Sequence, residues 1–419
     1  AAHVAFRDGP WGRMHPSDRG KILYRFGQLI EEHADELAAL EVRDNGRLLA
    51  EMRHQIRYVP NWYYYNAGLA DKLEGVVHPC DKPALSFSKP EPLGVCVGIV
   101  PWNAPLLLLS LKAAPALAAG NTLIIKPAEH TSATALKLME LVEAAGFPPG
   151  VFNVVTGYGR EVGEPLVTHP LVRHISFTGS TATGSHLYSL AARDVKRVSL
   201  ELGGKSPNIV FADADLDNAV RGVVGGIFGA TGQTCIAGSR LLVERRAHDA
   251  FLEKLVAFTR SARVGEPRRV ETQIGPIDNR MQYDKVLGYI DIARSEGAEV
   301  ALGGRRPDLE ECAEGFFVEP TIFTGVNNSM RIAGKMAVDV RPAGSGDVPD
   351  VGHGFGARCP GRERRVVVVR LVDARGAGAD GVEIADVLAR IVTGRQQLRE
   401  GEPARSEERR VGKECRSRW

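Results

Sequence analysis

Residues 93–129 read LGVCVGIVPWNAPLLLLSLKAAPALAAGNTLIIKPAE, and this stretch decides the fold. The apolar run Leu93–Val100 predicts a strand, and the apolar spacing over Leu106–Ala119 predicts a helix after it. A second apolar run, Thr122–Lys126, predicts another strand. Strands that are apolar on both faces and are separated by a helix are typical of a parallel sheet covered by helices.

The same alternation of strands and helices continues downstream. Helices are predicted at Ser132–Ala145 and Thr181–Ala192, and strands at Val151–Val155 and Ile175–Thr178. Parallel sheets of this kind bind ligands at the carboxyl ends of their strands. The sequence therefore predicts an α/β fold whose functional residues follow the strands.

Three other segments do not follow this alternation of strands and helices. Apolar residues at helical spacing predict one helix from a cap at Ser17 or Asp18 to Asn45-Gly46. From Leu73 to Leu93, short alternating pieces with four prolines predict edge strands or an extended hairpin. A second domain is expected to begin after Glu201.

The composition argues against several classes of function. The 419 residues include 53 Lys and Arg against 51 Asp and Glu, so a net charge of +2 provides no field that would attract nucleic acid. The longest apolar runs are far shorter than the ~20 residues that span a membrane, and no signal-peptide pattern opens the chain. Six scattered cysteines without a C-x-x-C pair indicate a reduced, cytoplasmic protein and no metal site.

Two residues of the second half have the chemistry of a catalytic pair. Cys235 ends the segment Gly232-Gln233-Thr234-Cys235, whose small neighbours would let a substrate reach the sulfur. The alternative is a buried cysteine that acts as a small apolar residue. Glu201 ends an apolar stretch before two glycines, so it could be a partly desolvated general base, or else a salt-bridged surface residue.

Polar groups also follow the predicted strands of the first half. Asn103 lies between two prolines, and its amide can donate to an oxyanion or form an Asx-turn with its own backbone. Lys126 and Glu129 follow the next strand. Residues 177–184, FTGSTATG, lead from a strand through glycines into a helix, and such a helix N-terminus presents N–H groups to a phosphate.

Taken together and in this order, the motifs resemble the NAD(P)-dependent aldehyde dehydrogenase superfamily over about residues 2–336. The resemblance implies a Rossmann-like NAD-binding domain over residues 1–72 and 92–202, and a small β-extension for oligomerisation over residues 73–91. It also implies an incomplete α/β catalytic thiol domain over residues 203–338, and a homodimer or homotetramer. The motifs that carry it are Pro101-Trp102-Asn103, Lys126-Pro127-Ala128-Glu129, Phe177-Thr178-Gly179-Ser180, Glu201-Leu202-Gly203-Gly204-Lys205-Ser206-Pro207 and Gly232-Gln233-Thr234-Cys235.

The resemblance also implies a mechanism for oxidising an aldehyde. The Cys235 thiolate adds to the carbonyl, and the Asn103 amide and the Cys235 N–H hold the oxyanion of the thiohemiacetal. Hydride transfer to the nicotinamide leaves a thioester, which a water activated by Glu201 hydrolyses to the acid. Glu201 argues against the alternative of acyl transfer to coenzyme A. Lys112 resembles a family lysine near the proton-release path, although a solvated helix lysine fits equally well.

The resemblance assigns cofactor contacts as well. Lys126 and Glu129 resemble the family's contacts to the adenosine ribose, and Glu129 would repel a 2′-phosphate, so NAD is favoured over NADP. Gly179 and Ser180 would lie beside the pyrophosphate, and Trp102 would line the cleft. Further candidate contacts are Gly184, Leu202 and Gly203. Small or aliphatic residues predict a roomy apolar tunnel for the aldehyde: Ala104, Leu108, Leu111 and Gly229.

The last part of the sequence departs from the family. After Ala333 the family continues with Glu-Glu-Ile-Phe-Gly-Pro, whereas this chain reads Gly334-Lys335-Met336-Ala337-Val338-Asp339. Residues 341–419 hold 15 of the 40 Arg but 1 of the 13 Lys. We interpret residues 339–419 as a disordered non-family tail derived from a frameshift and from adapter DNA. The alternative function is therefore a catalytically inactive, poorly folded fragment of such an enzyme.

Overall fold

The structure, a computed structural model, describes residues 1–334 and 368–369. All of the described residues fall within one unit of close internal contacts. The predicted tail over residues 339–419 lies outside the described residues, except for the two that form a short strand. The last residues of the predicted catalytic domain, 335–338, lie outside them too.

Helices and strands alternate through most of the described chain. The helices are α1 (Ala2–Arg7), α2 (Pro16–Glu32), α3 (Ala34–Asn45), α4 (Leu49–Tyr58), α5 (Pro60–Leu69), α6 (Pro105–Ala118), α7 (Ala133–Ala144), α8 (Glu164–Thr168), α9 (Thr181–Ala192), α10 (Leu216–Phe228), α11 (Arg245–Arg260), α12 (Arg280–Ser295) and α13 (Arg331–Gly334). The strands are β1 (Val77–His78), β2 (Ser86–Phe87), β3 (Val95–Ile99), β4 (Thr122–Lys126), β5 (Phe152–Val154), β6 (Val172–Thr178), β7 (Arg197–Glu201), β8 (Pro207–Val210), β9 (Arg240–Val243), β10 (Glu299–Leu302), β11 (Ile322–Thr324) and β12 (Val368–Val369).

A five-stranded parallel sheet organises the first half, with strand order β5-β4-β3-β6-β7. Successive residues of its central strand point to opposite faces. Val95 and Val97 pack in one hydrophobic cluster with residues of α9, whereas Cys96 packs in another with residues of α2, α5 and α6. Both faces of the sheet are therefore covered, and the predicted α/β fold with a parallel sheet is confirmed.

The prediction of one continuous helix over this segment is wrong. The structure has two helices there, α2 and α3, and His33 lies between them with φ −104° and ψ 13°. The predicted cap is also wrong, because the side chain of His15 accepts the N–H of Ser17 and Pro16 begins the helix. Proline is well suited to the first helical position, since its ring fixes φ and the N–H it lacks would have no partner there.

The segment after α5 forms the predicted hairpin. Strands β1 and β2 pair antiparallel, with Val77 opposite Phe87 and His78 opposite Ser86. Both of the large apolar side chains in this pairing are exposed, at 68% for Val77 and 62% for Phe87. The role of residues 73–91 in oligomerisation stays a prediction.

The second half has its own hydrophobic clusters, whose buried residues all come from position 210 onward. It contains the parallel pair β8-β9 and the antiparallel sheet β10-β11-β12. Helix α10 is capped by Asp215, whose carboxylate accepts the N–H groups of Asp217 and Asn218. This helix ends at Phe228, seven residues before Cys235. The domain boundary at residues 202–203 stays a prediction.

Asn121, a buried residue, joins the start of the central strand to the end of α6. Its side-chain oxygen accepts the N–H groups of Leu93 at 2.7 Å and Gly94 at 3.1 Å, while its amide nitrogen donates to the carbonyl of Ala116. Its own carbonyl accepts the indole N–H of Trp11. The side chain thus fixes the position of the segment that leads into β3, and with it the position of the whole strand.

We expect Asn121→Ala to lower the free energy of unfolding by about 2–4 kcal/mol, because it removes three hydrogen bonds and leaves buried groups without partners. Denaturant unfolding followed by circular dichroism measures the change. The matched control is Asn61→Ala, at an exposed asparagine that makes one hydrogen bond to Tyr58; we expect a change within about 0.5 kcal/mol. Equal effects of the two substitutions would contradict the assigned role of Asn121.

Candidate active site

The carboxyl ends of four parallel strands meet at one edge of the sheet. In the register of the sheet, Ile99 of β3 lies beside both Lys126 of β4 and Phe177 of β6, and Thr178 lies beside Glu201 of β7. The residues that follow each strand therefore share this edge. They include most of the predicted site: Trp102, Asn103, Lys126, Glu129, Gly179, Ser180, Glu201, Leu202 and Gly203.

Cys235 lies on a loop of unusual backbone conformation. Ala230 and Thr231 have φ of 56° and 54°, and Gly232 has φ of 68°. Left-handed backbone costs non-glycine residues roughly 1–2 kcal/mol each, so contacts outside the loop must hold it. One such contact is the hydrogen bond from Gly275 N–H to Thr231 Oγ1 at 3.1 Å. Cys235 itself is exposed, so the alternative of a buried structural cysteine is wrong.

Asn103 reaches this loop from the other half of the chain. Its Nδ2 donates to the carbonyl oxygen of Gln233 at 2.8 Å, two residues before Cys235. The side chain therefore points towards the cysteine loop, as an oxyanion donor would have to. No Asx-turn bond of Asn103 to its own backbone occurs among the hydrogen bonds of the described residues.

Glu201 is the last residue of β7, at the strand end where it was expected. The expected partial desolvation is wrong, because Glu201 is exposed to solvent. Three residues further on, Gly204 packs against the cysteine loop: a Cβ at Gly204 would lie 3.1 Å from the carbonyl oxygen of Cys235. The segment that begins with Glu201 and the loop that carries Cys235 are therefore neighbours.

Lys112 is buried, so the alternative of a solvated helix lysine is wrong. Its Nζ donates to Ser176 Oγ at 3.0 Å and to Thr178 Oγ1 at 2.7 Å, and both hydroxyls belong to the last three residues of β6. The stem of the lysine crosses Gly98, where a Cβ would lie 3.3 Å from Lys112 Cδ. Burial lowers the pKa of Lys112 to about 8, and the charge of Glu201 opposes part of that shift.

The cofactor side of the edge offers groups for a ribose and a phosphate. Lys126 is buried and its Nζ pairs with Glu129 Oε2 at 3.2 Å, so an ammonium and a carboxylate lie together where a diol could bind. Ser180 caps α9 by accepting the N–H of Thr183, and this twelve-residue helix presents its first N–H groups at the sheet edge. Gly179 donates its own N–H to the carbonyl of Glu201.

Two further candidate cofactor residues pack directly on each other. A Cβ at Gly184 would lie 2.6 Å from Leu202 Cδ2, so the glycine lets α9 approach the segment after β7 closely. Gly203 is exposed beside Leu202, and Trp102 is partly buried after β3. The donor set, the helix N-terminus and the close packing fit a dinucleotide at this edge.

Sequence reasoning missed two residues that touch the site. Arg47 contacts the backbone of Asn103, and Glu51 contacts the backbone of Ala230. In the sequence, the one feature that relates Arg47 and Glu51 is their opposite charge at positions i and i+4, and this spacing usually indicates an ion pair on the solvent-exposed surface. The segments that they join are 56 and 179 residues away in the chain.

No group of three or more His, Cys, Asp or Glu that could hold a metal ion occurs in residues 1–334. Within the same part of the chain, no helix combines the length and the apolar character needed to cross a bilayer.

Comparison with known proteins gives consistent matches. The sequence profile of the Aldehyde dehydrogenase family matches residues 1–335. A hydroxyisobutyraldehyde dehydrogenase of Mycolicibacterium austroafricanum is 48% identical over 333 residues, which cover 80% of this chain and 65% of that protein. A betaine aldehyde dehydrogenase of Bacillus subtilis is 46% identical over 334 residues, which cover 79% of this chain and 68% of that protein.

A solved structure matches as well. The crystal structure of a betaine aldehyde dehydrogenase point mutant from Staphylococcus aureus, in complex with NAD+ and with a BME-modified cysteine, superposes with a TM-score of 0.79 at 40% identity. The match covers 81% of this chain and 69% of that one. The chain thus spans about two thirds of the length of these relatives, and it belongs to the aldehyde dehydrogenase family.

Proposed function

We propose that this chain derives from an enzyme that oxidises an aldehyde to a carboxylic acid with NAD+, through a covalent intermediate on Cys235. One observation carries the proposal: the exposed thiol of Cys235 lies on a loop that both Asn103 and the segment after Glu201 contact. A nucleophile, an oxyanion donor and a carboxylate are the groups that this oxidation needs.

The first step is addition of the Cys235 thiolate to the carbonyl carbon of the aldehyde. The bond between sulfur and carbon forms, and the carbonyl oxygen takes the negative charge. An Asn amide carries two N–H groups, and Gln233 uses one of those on Asn103, so the other can donate to this oxygen. The backbone N–H of Cys235 would be the second donor.

The cofactor would bind along the edge that Lys126, Glu129 and the start of α9 form. The chemistry that NAD+ supplies when bound is acceptance of a hydride from the substrate carbon. Lys126 and Glu129 would bind the hydroxyls of the adenosine ribose, and the carboxylate of Glu129 would disfavour a 2′-phosphate at that point. The NAD+ complex of the Staphylococcus aureus relative supports this choice of cofactor.

Glu201 would complete the reaction by activating water. Its exposure at the end of β7 gives water access to the carboxylate, which takes a proton as the water attacks the thioester carbon. The carbon–sulfur bond then breaks and the carboxylic acid leaves. A water-accessible base beside the thioester favours hydrolysis over acyl transfer to coenzyme A.

For the substrate, we propose a medium-sized or aromatic aldehyde and not acetaldehyde. Leu108 and Leu111 are partly buried on α6, and a Cβ at Gly229 would meet no atom within 4 Å, which leaves room beside the cysteine loop.

Oligomerisation and compartment complete the proposal. The segment of the hairpin β1–β2 exposes four large apolar side chains, Val76, Val77, Leu85 and Phe87, which would be covered in a homodimer or homotetramer. The four described cysteines form no disulfide, which fits a reducing compartment such as the cytoplasm.

We expect Cys235→Ala to abolish NADH production with a panel of aldehydes from acetaldehyde to benzaldehyde, because no other group at the site can form the thiohemiacetal. Absorbance of NADH measures the rate. The control is Cys80→Ala, since Cys80 is also an exposed free cysteine but lies in the hairpin. Activity that survives in Cys235→Ala would overturn the mechanism, and an inactive unaltered chain would favour the alternative of an inactive fragment.

We expect Glu201→Gln to lower kcat by roughly 10²-fold or more while the first turnover stays fast, since an amide cannot take the proton from water. Mass spectrometry should then detect an acyl group on Cys235. The matched control is Glu140→Gln, at an exposed glutamate on α7 that pairs with Lys137. An unchanged kcat, or a slow first turnover without acyl-enzyme, would refute the role of Glu201.

The pKa of Lys112 gives a prediction for pH dependence. Burial lowers this pKa from 10.5 to about 8, so the amine loses its proton as the pH rises from 7 to 9 and can then accept a proton released at the site. We expect the rate to rise through an inflection near pH 8, and Lys112→Arg, which stays charged, to remove that inflection. The control is Lys254→Arg, at an exposed lysine on α11; an inflection that persists in Lys112→Arg would assign it to another group.

A further inference from the structure

Arg47 and Glu51 form an ion pair at the junction between α3 and α4. Arg47 Nε and Nη2 both donate to Glu51 Oε2, at 3.2 Å and 3.1 Å. The Arg47 side chain is 7% exposed and that of Glu51 is 28% exposed, so the arginine is buried and the glutamate is partly buried. Asn45 Oδ1 accepts the N–H of Arg47 at 3.0 Å and fixes the backbone from which the arginine extends.

Each partner has a second contact, and both second contacts lie on the proposed catalytic machinery. Arg47 Nη1 donates to the carbonyl oxygen of Asn103 at 3.0 Å. Glu51 Oε1 accepts the backbone N–H of Ala230 at 2.9 Å. The two charged side chains therefore connect the residue that would hold the oxyanion to the loop that carries Cys235.

The contact from Glu51 to Ala230 is made at a residue whose backbone is strained. Ala230 is the first of the two non-glycine residues of this loop that have left-handed backbone, and such a conformation persists only when surrounding contacts fix it. A carboxylate that accepts this N–H forms a charge-assisted bond, which is stronger than a neutral one. Glu51 thus anchors the strained start of the turn that leads to Cys235.

The other side of the loop is tied to the same junction. Gly46 has φ of 72°, and a Cβ there would lie 2.8 Å from Pro276 Cγ, so the junction packs closely on residues 275–276. Gln233 accepts the N–H of Asp278 through its Oε1 at 3.0 Å. The cysteine loop is thus enclosed between the junction before α4 and the segment that precedes α12.

We propose that the Arg47–Glu51 ion pair is a positioning device that sets the distance between the Asn103 side chain and the Cys235 loop. This inference rests on the proposed function, since it assigns the pair to the alignment of the two oxyanion donors. Neither residue touches the reacting atoms, so both are positioning residues. An arginine is suited to this place because its planar fork can bind a carboxylate and a carbonyl at once, whereas a lysine presents a point charge.

The test compares Glu51→Ala and Glu51→Gln with Glu140→Gln. Amide hydrogen exchange of the peptide that contains residues 229–235 reports on the loop without requiring activity, and a peptide within α11 is the internal reference. Steady-state kinetics with NAD+ and an aldehyde separates kcat from KM. Thermal unfolding of each variant shows whether the fold is retained.

We expect at least 10-fold faster exchange of the loop peptide in Glu51→Ala, with unchanged exchange of the α11 peptide, and intermediate exchange in Glu51→Gln, whose amide oxygen can still accept the Ala230 N–H. We also expect kcat to fall by about 10²-fold, the usual effect of losing an oxyanion donor, with KM changed less than about 3-fold. In an Asn103→Ala background, Glu51→Ala should lower kcat by less than about 3-fold more, because the two act through one donor.

The possible outcomes separate this inference from the proposed function. Unchanged exchange of the loop peptide in Glu51→Ala overturns the inference, whatever the activity. Faster exchange with an unchanged kcat also overturns it, and so does faster exchange of the α11 peptide together with the loop, which would indicate general destabilisation. If the unaltered chain produces no NADH, the proposed function fails, and the exchange response alone decides whether the pair anchors the loop.

Discussion

The parallel register of the five-stranded sheet is the constraint on which the candidate site depends. Parallel strands end at the same edge, so residues that follow β3, β4, β6 and β7 meet although they are up to about a hundred positions apart in the chain. An antiparallel sheet would divide the same residues between two edges. The fold thus supplies the cofactor side of the site through strand direction alone, before any side chain makes a contact.

The proposed catalytic side of the site depends on contacts between the two halves of the chain. Asn103 belongs to the sheet edge and Cys235 to a loop after α10, and the hydrogen bond from Asn103 to Gln233 links the two directly. The close approach of Gly204 to Cys235 adds a second link, on the side of Glu201. These contacts are specific to single residues, whereas the cofactor edge uses the backbone of whole strands.

This difference explains what the sequence could predict. Apolar runs and helical spacing predicted the central strands and their helices because each run is buried as a unit. The burial of Lys112 could not be predicted, since it depends on Gly98 of the adjacent strand leaving room for the lysine stem. The sequence left two alternatives open for Glu201 for a similar reason: a strand end can face either the core or solvent, and the structure shows that Glu201 is exposed. Arg47 and Glu51 were missed because a charge pair at helical spacing gives no sign of which distant segments its side chains contact.

The left-handed backbone of Ala230 and Thr231 has a consequence for substrate choice. Glycine would adopt the same conformation without strain but would let the loop move over a wider range. With alanine and threonine there, the range of conformations open to the loop before Cys235 is narrower than it would be with glycine. Under the proposed mechanism, discrimination between aldehydes would then fall to the residues predicted to line the substrate tunnel, and a change in preference would come from substitutions there and not in the loop.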